Sequence, residues 1–304
     1  MTSKRKILVL SSAGQLGEEI SSQFEGSSEL VRINRKDCDF NDLNRICSIV
    51  ESHSPNIIIN CSGFTNVNGA ENEKEEAINI NKNLVKSLVK TSNKINSLLI
   101  HFSTDYVFDG LKNTPYAEDD LPKPINYYGL TKYEGEKILI NDCNRYILFR
   151  TSWLHSEVGT NFVKTIINLI GKKNSLEVVG DQYGSPTSSR LVAKILKSMV
   201  SVDKNLCSKK LENQTYHVTT EGVTNWYDIT KEIILYLQKK YNYKKEVVVH
   251  KVPSRELDMA ANRPLYSKLS TLKVRQSIDF DIPSWEIDLH DTIDLIIKKN
   301  RIKF

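Results

Sequence analysis

Tyr128 and Lys132 stand four residues apart in the run Tyr-Gly-Leu-Thr-Lys. On a helix that spacing puts a phenol and an ammonium on one face. A neighbouring cation favours the phenolate and lowers a tyrosine pKa from about 10 towards working pH. Such a tyrosine can pass a proton to a carbonyl oxygen as hydride reaches its carbon, and general-acid help of this kind is worth roughly 10² to 10⁴ in rate. The spacing alone selects nothing, because Tyr133 with Lys137 and Tyr241 with Lys245 share it. Context separates Tyr128. Upstream lies the apolar run 98–102, and its carboxyl edge carries Ser103, Thr104 and Asp105. Chemistry in open α/β sheets collects at the carboxyl ends of strands, where a hydroxyl can bond the oxygen that Tyr128 protonates. The bland alternative for Tyr128 and Lys132 is an exposed helical pair.

The elements that must position these groups follow from the rhythm of the chain. Short β-rich runs at 6–10, 29–33, 56–60, 97–103 and 145–150 alternate with helical stretches at 15–24 and 71–92, the latter with Ala77, Ile80, Leu84, Leu88 and Val89 at helical spacing. Alternation of this kind predicts the α/β class, a doubly wound parallel sheet of Rossmann type covered on both faces. After Thr151 the rhythm loosens into Gly- and Pro-bearing loops at 180–187, with readable helices at 225–241 and 288–299. The expected organisation is a dinucleotide-binding domain over 1–150 with a returning segment at about 188–222, and a smaller C-terminal substrate lobe from 151–187 and 223–304.

A strand followed by a glycine turn and a helix is a phosphate site for a dinucleotide. Gly14 and Gly17 hold the last two positions of that turn, and Ser11 occupies the first. Gly14 would let the backbone approach the pyrophosphate, Gly17 would let the helix pack close, and the N–H groups around Gln15 and Leu16 would face the phosphates. A βα turn with two glycines is also often only a turn. Beyond the second strand the chain reads Asn34-Arg35-Lys36, with no carboxylate for a ribose 2′-OH. Two cations suit a 2′-phosphate, so NADPH is expected over NADH, with Arg35 as the main contact; the alternative is a pair of solvated loop cations. Asp39 and Phe40 are placed where they could cover the adenine.

Composition bounds the rest. The chain has 304 residues, 39% apolar and 26% charged, which excludes a disordered or collagen-like chain. A net charge of +5, spread along the sequence, does not make a nucleic-acid face. The basic end at Lys298, Lys299, Arg301 and Lys303 reads as a solvated helix terminus. Five cysteines at 38, 47, 61, 143 and 207 fit neither a disulfide framework nor a zinc ribbon. No run reaches membrane-spanning length and no targeting segment is readable, so a cytoplasmic protein without nucleic-acid or membrane partners is expected. A homodimer is the default for an enzyme of this size.

Taken together, several stretches resemble the extended short-chain dehydrogenase/reductases, and specifically the dTDP-4-dehydrorhamnose reductase family. They are AGQLG at 13–17, FTNVNGAENE at 64–73, STDYVFDG at 103–110, YYGLTKYEGE at 127–136, RTSWL at 150–154, NFVKTI at 161–166 and GDQYGSPTS at 180–188, followed by Arg263-Pro264 with Ser267 and Leu269. The resemblance runs in order over nearly the whole chain. It implies a Rossmann-fold oxidoreductase that uses NADPH or NADH to reduce the C4 keto group of a dTDP-6-deoxy-4-keto-hexose to dTDP-L-rhamnose, for surface polysaccharide such as lipopolysaccharide. It implies Thr104 as the catalytic hydroxyl, Tyr128 as proton donor, Lys132 on the nicotinamide ribose and Asn81 near the cofactor. Asp105, Tyr106, Trp153, Gln182, Thr187 and Arg263 would line the nucleotide-sugar site, with Arg263 at the diphosphate. The bland alternatives are Asp105 as a turn cap, Trp153 as core, Arg263 as a surface cation and Asn81 as a neutral helix-surface residue.

The departures are Ser11 for glycine, Asn68-Gly69 for the usual Asp-Lys pair, His155 for an aromatic and Tyr266 for asparagine. They leave open which sugar is taken. His155, the histidine nearest the expected site, receives no role. Some family members bind magnesium at a dimer contact; Glu19 matches one acidic position, and a second is not identified. Two other functions are compatible with parts of the pattern: a reductase of a different nucleotide-linked 4-keto sugar, and a non-catalytic regulatory subunit resembling that of methionine adenosyltransferase.

Overall fold

The structure is a computed structural model that describes residues 5–200, 210–257 and 259–302. Cys207 and Lys303 lie outside the described residues. Strands β1 (Lys6–Leu10), β2 (Glu29–Ile33), β3 (Ile57–Asn60), β4 (Leu98–Thr104) and β5 (Tyr146–Thr151) belong to one sheet. The chain then passes through β6 (Ser175–Val179), outside that sheet, and returns to it with β7 (Gln214–His217). The order is β7-β5-β4-β3-β1-β2, and every pairing is parallel. The winding reverses between β1 and β3, which opens a crevice at the carboxyl ends of these strands. This is the doubly wound α/β class expected from the alternation of strands and helices.

The helices are α1 (Gln15–Phe24), α2 (Leu43–His53), α3 (Leu84–Ile95), α4 (Tyr127–Asp142), α5 (Phe162–Lys172), α6 (Ser189–Met199), α7 (Trp226–Tyr241) and α8 (Trp285–Asn300). Side-chain alternation along the strands builds two cores. Ile7, Val9, Ile59, Ile100 and Phe149 face α1 and α6, where Ile20, Phe24, Ile195 and Met199 meet them. Leu8, Leu10, Ile58, Leu99 and Leu148 face α2, α3 and α4, through Ile46, Val50, Leu88 and Leu139. A third core joins α5, α7 and α8 to β6, which pairs in parallel with β8 (Val248–Val252). No helix among the described residues is long and apolar enough to cross a membrane.

Two local differences from the sequence reading have physical causes. The helix expected over 71–92 is instead a short turn, Gly69–Asn72, then Lys74–Ile78, a π-turn at Asn79–Asn83, and α3. Asn81 lies in the π-turn and is buried, so its polar side chain must find partners inside the protein. Helix α2 has no counterpart in that reading. Asp42 caps it by accepting from the Arg45 N–H at 2.9 Å, and Ile46 and Val50 supply its single buried row.

Candidate active site

Register brings the candidate groups together. Thr104 ends β4 opposite Thr151 at the end of β5, and Ser103 lies opposite Arg150. The chain then turns through a 3-10 segment, Asp105–Val107, capped by Thr104, whose Oγ1 accepts from the Tyr106 N–H at 3.2 Å. Helix α4 begins at Asn126, whose side chain accepts from the Gly129 N–H at 2.7 Å. Two glycines let α4 approach closely. A Cβ at Gly129 would meet the Tyr106 carbonyl oxygen at 2.1 Å, and one at Gly135 would meet the Asn81 carbonyl oxygen at 2.3 Å. The first approach sets Tyr128 beside Thr104; the second sets Lys132 beside the π-turn.

Tyr128, Thr104, Ser103, Thr151, Trp153 and Arg263 line a cavity of about 340 Å³ that also touches Gln15, Asp105 and Tyr106. A neighbouring cavity of about 620 Å³ shares Arg263 and adds Gln182, Arg255 and Asn262. The Ser103 and Thr151 hydroxyls, Trp153 Nε1, Gln182 Nε2 and Arg263 Nε are buried atoms without a hydrogen-bond partner. Buried polar atoms of this kind are rare and costly, and here they gather around two cavities that share Arg263. They fit a polyhydroxylated, phosphorylated ligand.

The electrostatics differ from expectation at one point. Burial pushes the Tyr128 phenol up to about 12, against a hydrogen bond with Thr104 that favours the anion; the Asp105 charge adds to the rise. The Lys132 ammonium does not counter this, because it is turned to the Phe102 carbonyl, 2.6 Å away. Burial brings Lys132 down to about 8, although Glu136 and Cys61 favour its charged form. Tyr128 is therefore a protonated phenol at neutral pH, where spacing alone predicts a phenolate tendency. Asp105 is also buried, and its carboxyl rises to about 7 despite contacts from Ser267 and Thr104.

The dinucleotide turn has the expected form. Ser11 sits at φ 59°, in the left-handed region that a glycine would occupy without strain. A Cβ at Gly17 would lie 2.2 Å from the Ser11 carbonyl oxygen, so that position tolerates only glycine. Gly14 caps α1 with no side-chain partner for the first N–H groups, and Leu16 is buried behind them. The Gln15 side chain crosses to the 156–161 loop, donating to Thr160 O at 3.3 Å and accepting from Asn161 Nδ2 at 2.9 Å. Arg35 is exposed on the turn after β2. These features fit a dinucleotide phosphate and its ribose.

Other expected contacts are placed differently. Phe40 is buried in the core against α2 and α3 rather than standing open on the surface. Asp39 is exposed and accepts from the Asn41 N–H at 3.0 Å. Thr187 is fully buried, donates to Ser185 O at 3.2 Å and lines neither cavity, because its short strand pairs with Leu154. Asn81 is no helix-surface residue: it accepts from Phe64 N at 2.9 Å and donates to Phe64 O at 3.1 Å and Thr131 Oγ1 at 3.0 Å. It thereby ties the loop after β3 to α4. Trp153 adopts a left-handed φ of 48° and stacks on Trp226 at 3.8 Å, and Trp226 Nε1 donates to Gln182 Oε1 at 3.2 Å. It both lines the cavity and packs against the third core. Tyr106 packs edge-on against Tyr128.

Sequence reasoning missed His101, Glu136 and Trp226. A histidine inside the otherwise apolar run of β4 was the available signal for the first. His155 is buried away from the cavity and 3.6 Å from Asp288, so it is not the histidine of this site.

Nothing at Glu19 supports the magnesium contact that some family members make. Glu19 is pushed up to about 7 by burial and by Glu157, while Arg190 and Lys299 pull it down. Two acids are matched by two cations. No group of three His, Cys, Asp or Glu that could hold a metal ion occurs among the described residues.

A parallel sheet with a glycine turn at its switch point, and a Tyr-Lys helix beside a hydroxyl-bearing strand end, defines a dinucleotide-dependent oxidoreductase fold. Residues 5–297 match the model of the RmlD substrate binding domain, and the chain belongs to that family, the dTDP-4-dehydrorhamnose reductase family. The dTDP-4-dehydrorhamnose reductase of Escherichia coli strain K12 is 33% identical over 285 residues, covering 92% of this chain and 94% of that protein. A crystal structure of dTDP-4-dehydrorhamnose reductase from Bacillus anthracis in complex with NADP superimposes with a TM-score of 0.87 at 31% identity, covering 96% and 99% of the two chains. The corresponding structure from Clostridium acetobutylicum gives 0.87 at 32% identity over the same shares.

Proposed function

We propose that this chain is an NADPH-dependent reductase that converts the C4 keto group of a dTDP-6-deoxy-4-keto-hexose to the alcohol of dTDP-L-rhamnose. The observation that carries the reading is the pair Thr104 and Tyr128 at the carboxyl edge of β4, facing a cavity ringed by unpartnered buried polar atoms, with Lys132 buried one turn further along α4. The relatives named for this activity, and the relative solved with NADP, support it.

NADPH, when bound, supplies the hydride. In this reading Gly14, Gln15, Leu16 and Gly17 hold the pyrophosphate at the start of α1, and Arg35 meets the 2′-phosphate. Lys132 holds the nicotinamide ribose. Asn81 contributes through position, by fixing the loop that borders Lys132. Thr104 donates to the substrate carbonyl oxygen. Tyr128 keeps its proton until negative charge develops on that oxygen and then transfers it, so the carbonyl gains one hydride and one proton. Lys132, with its affinity for protons lowered by burial, would be the source from which Tyr128 is reprotonated. Trp153 lies against the sugar ring, Asp105 and Tyr106 shape its pocket, and Arg263 and Gln182 meet the diphosphate and nucleoside towards the larger cavity. The sheet with α6 and β7 forms the cofactor domain, and the third core forms the substrate lobe. The protein acts as a cytoplasmic homodimer serving surface polysaccharide synthesis.

The test is direct. Purified protein with NADPH and the dTDP-4-keto-6-deoxy sugar should consume absorbance at the nicotinamide band, and Tyr128→Phe should lose roughly 10² to 10⁴ of that rate. No turnover by the wild type, or full turnover by the variant, would refute the reading.

A further inference from the structure

Lys132 has a second neighbour besides Phe102: its Nζ lies 3.5 Å from His101 Nε2, at the long edge of hydrogen-bonding distance. The other ring nitrogen, Nδ1, is 3.1 Å from Asn60 Nδ2, and the two residues are register partners on β4 and β3. The Asn60 amide has one possible orientation. Its Oδ1 accepts from the Ser62 N–H at 3.1 Å and also from the Ser62 hydroxyl. Turning the amide over would set its NH₂ against the Ser62 N–H, donor against donor. Asn60 Nδ2 therefore donates to His101 Nδ1, which must be the bare nitrogen. A neutral imidazole carries one proton, so that proton sits on Nε2 and points at Lys132.

We propose that His101 is a positioning residue for Lys132: Asn60 and Ser62 lock its tautomer so that Nε2–H faces the lysine nitrogen and makes proton release by Lys132 easier. Against an ammonium, Nε2–H is a donor facing a donor. Against the free amine, it is a donor facing a lone pair. The amine is thus the form this contact rewards. His101 stays neutral while it does so, because burial and the Lys132 charge hold its pKa well below the usual histidine range. The remaining groups around Lys132 act the other way or are spent. Glu136, on the same helix, favours the ammonium, and its carboxylate is also clamped by Arg150 at 2.7 Å. Cys61, at the end of β3, favours the ammonium as well. The Asn81 side chain is used on Phe64 and Thr131, and the Tyr128 hydroxyl is paired with Thr104. Among the described residues around Lys132, His101 is the polar side chain set against the charged form. The inference deepens the proposed function, since it concerns when Lys132 can resupply Tyr128.

The experiment is nitrogen NMR on the protein without turnover. In the wild type, the ¹⁵N shifts of the His101 ring should show Nδ1 bare and Nε2 protonated. The Lys132 side-chain resonance, assigned by its loss in Lys132→Arg, is then titrated in three proteins. His101→Gln can present an amide oxygen to the lysine. Asn60→Leu removes the donor to Nδ1 without adding charge, so the ring can carry its proton on Nδ1 and turn a bare Nε2 to the lysine. Both variants should raise the Lys132 midpoint by about one pH unit. A proton found on Nδ1 in the wild type, or a Lys132 midpoint unmoved in the variants, would overturn the proposal. A residue that only packs would alter melting and leave that midpoint in place. If one variant fails to fold, the wild-type tautomer and the other variant still decide. These readings need no sugar reduction, so an inactive wild type would refute the proposed function and leave this inference standing.

Discussion

Thr104 donates its hydroxyl proton to Asp105 Oδ1 across 3.0 Å, so the side chain next to the reacting oxygen is already engaged by a carboxyl whose pKa stands at about 7. The charge of Asp105 also raises the Tyr128 pKa. Asp105→Asn should therefore lower the Tyr128 pKa and move the alkaline limb of the kcat profile to lower pH. It should also change stability with a definite sign. The folded pKa of Asp105 lies above its unfolded value, so the folded state holds that proton more tightly. Its contribution is present below about pH 4 and is lost as pH rises through 7, in full as much as about 4 kcal/mol. The variant should gain on the wild type between pH 5 and pH 8 in urea unfolding. An equal difference at both pH values would contradict the buried carboxyl.

Gly17 and Gly14 share one turn but tolerate different changes. A Cβ at Gly17 meets backbone, Ser11 O at 2.2 Å and Ser12 Cα at 2.8 Å, whereas at Gly14 the nearest atom is Ser11 O at 3.2 Å. Gly17→Ala should cost about 3 kcal/mol by overpacking and weaken NADPH binding, and Gly14→Ala should cost clearly less. Thermal melts and NADPH titration of both variants check the order.

Arg35 is exposed and free to meet a 2′-phosphate. Arg35→Ala should raise KM for NADPH about tenfold, the scale of one charge-assisted contact, and leave KM for NADH unchanged. Steady-state kinetics with both cofactors would read the difference.

Glu136 and Arg150 form a fully buried ion pair, with Arg150 Nε also within 3.1 Å of Glu136 Oε1. Removing one charge strands the other. Glu136→Gln should destabilise the fold by about 3 to 5 kcal/mol. Because Glu136 favours the Lys132 ammonium, the same change should lower the Lys132 midpoint. Arg150→Met with Glu136→Leu, which removes both charges, should recover much of the lost stability.

Chelation should have no effect on turnover. Arg190 and Lys299 supply the positive charge beside Glu19 and Glu157 that a divalent ion would otherwise bring. Assays with EDTA and with added magnesium should give the same kcat. A several-fold rise with magnesium would show that the cluster takes a metal.

The sheet and the proposed trio of Thr104, Tyr128 and Lys132 were readable because parallel strands are short apolar runs and because chemistry gathers at their carboxyl ends. The spacing of Tyr128 and Lys132 placed them on one helix, as found. Spacing did not reveal that burial sets the Tyr128 pKa while Lys132 turns away to the Phe102 carbonyl, since desolvation depends on what covers a group in three dimensions. The same reason hid Phe40, whose place in the core follows from packing against α2. Resemblance put Asn81 near the cofactor, but its burial was not legible, because a π-turn breaks the periodicity that marks a buried face. His101 was passed over within an apolar run. Its role depends on Asn60, 41 positions earlier, brought alongside only by strand register.

Strand β7 begins at Gln214, more than sixty positions after β5 ends at Thr151. During synthesis on the ribosome, β5 therefore emerges with one hydrogen-bonding edge unpaired while α5, β6 and α6 are still being made. A bare edge of this kind invites pairing with other nascent chains. Truncations that stop before residue 214 should therefore aggregate rather than yield a free cofactor-binding half.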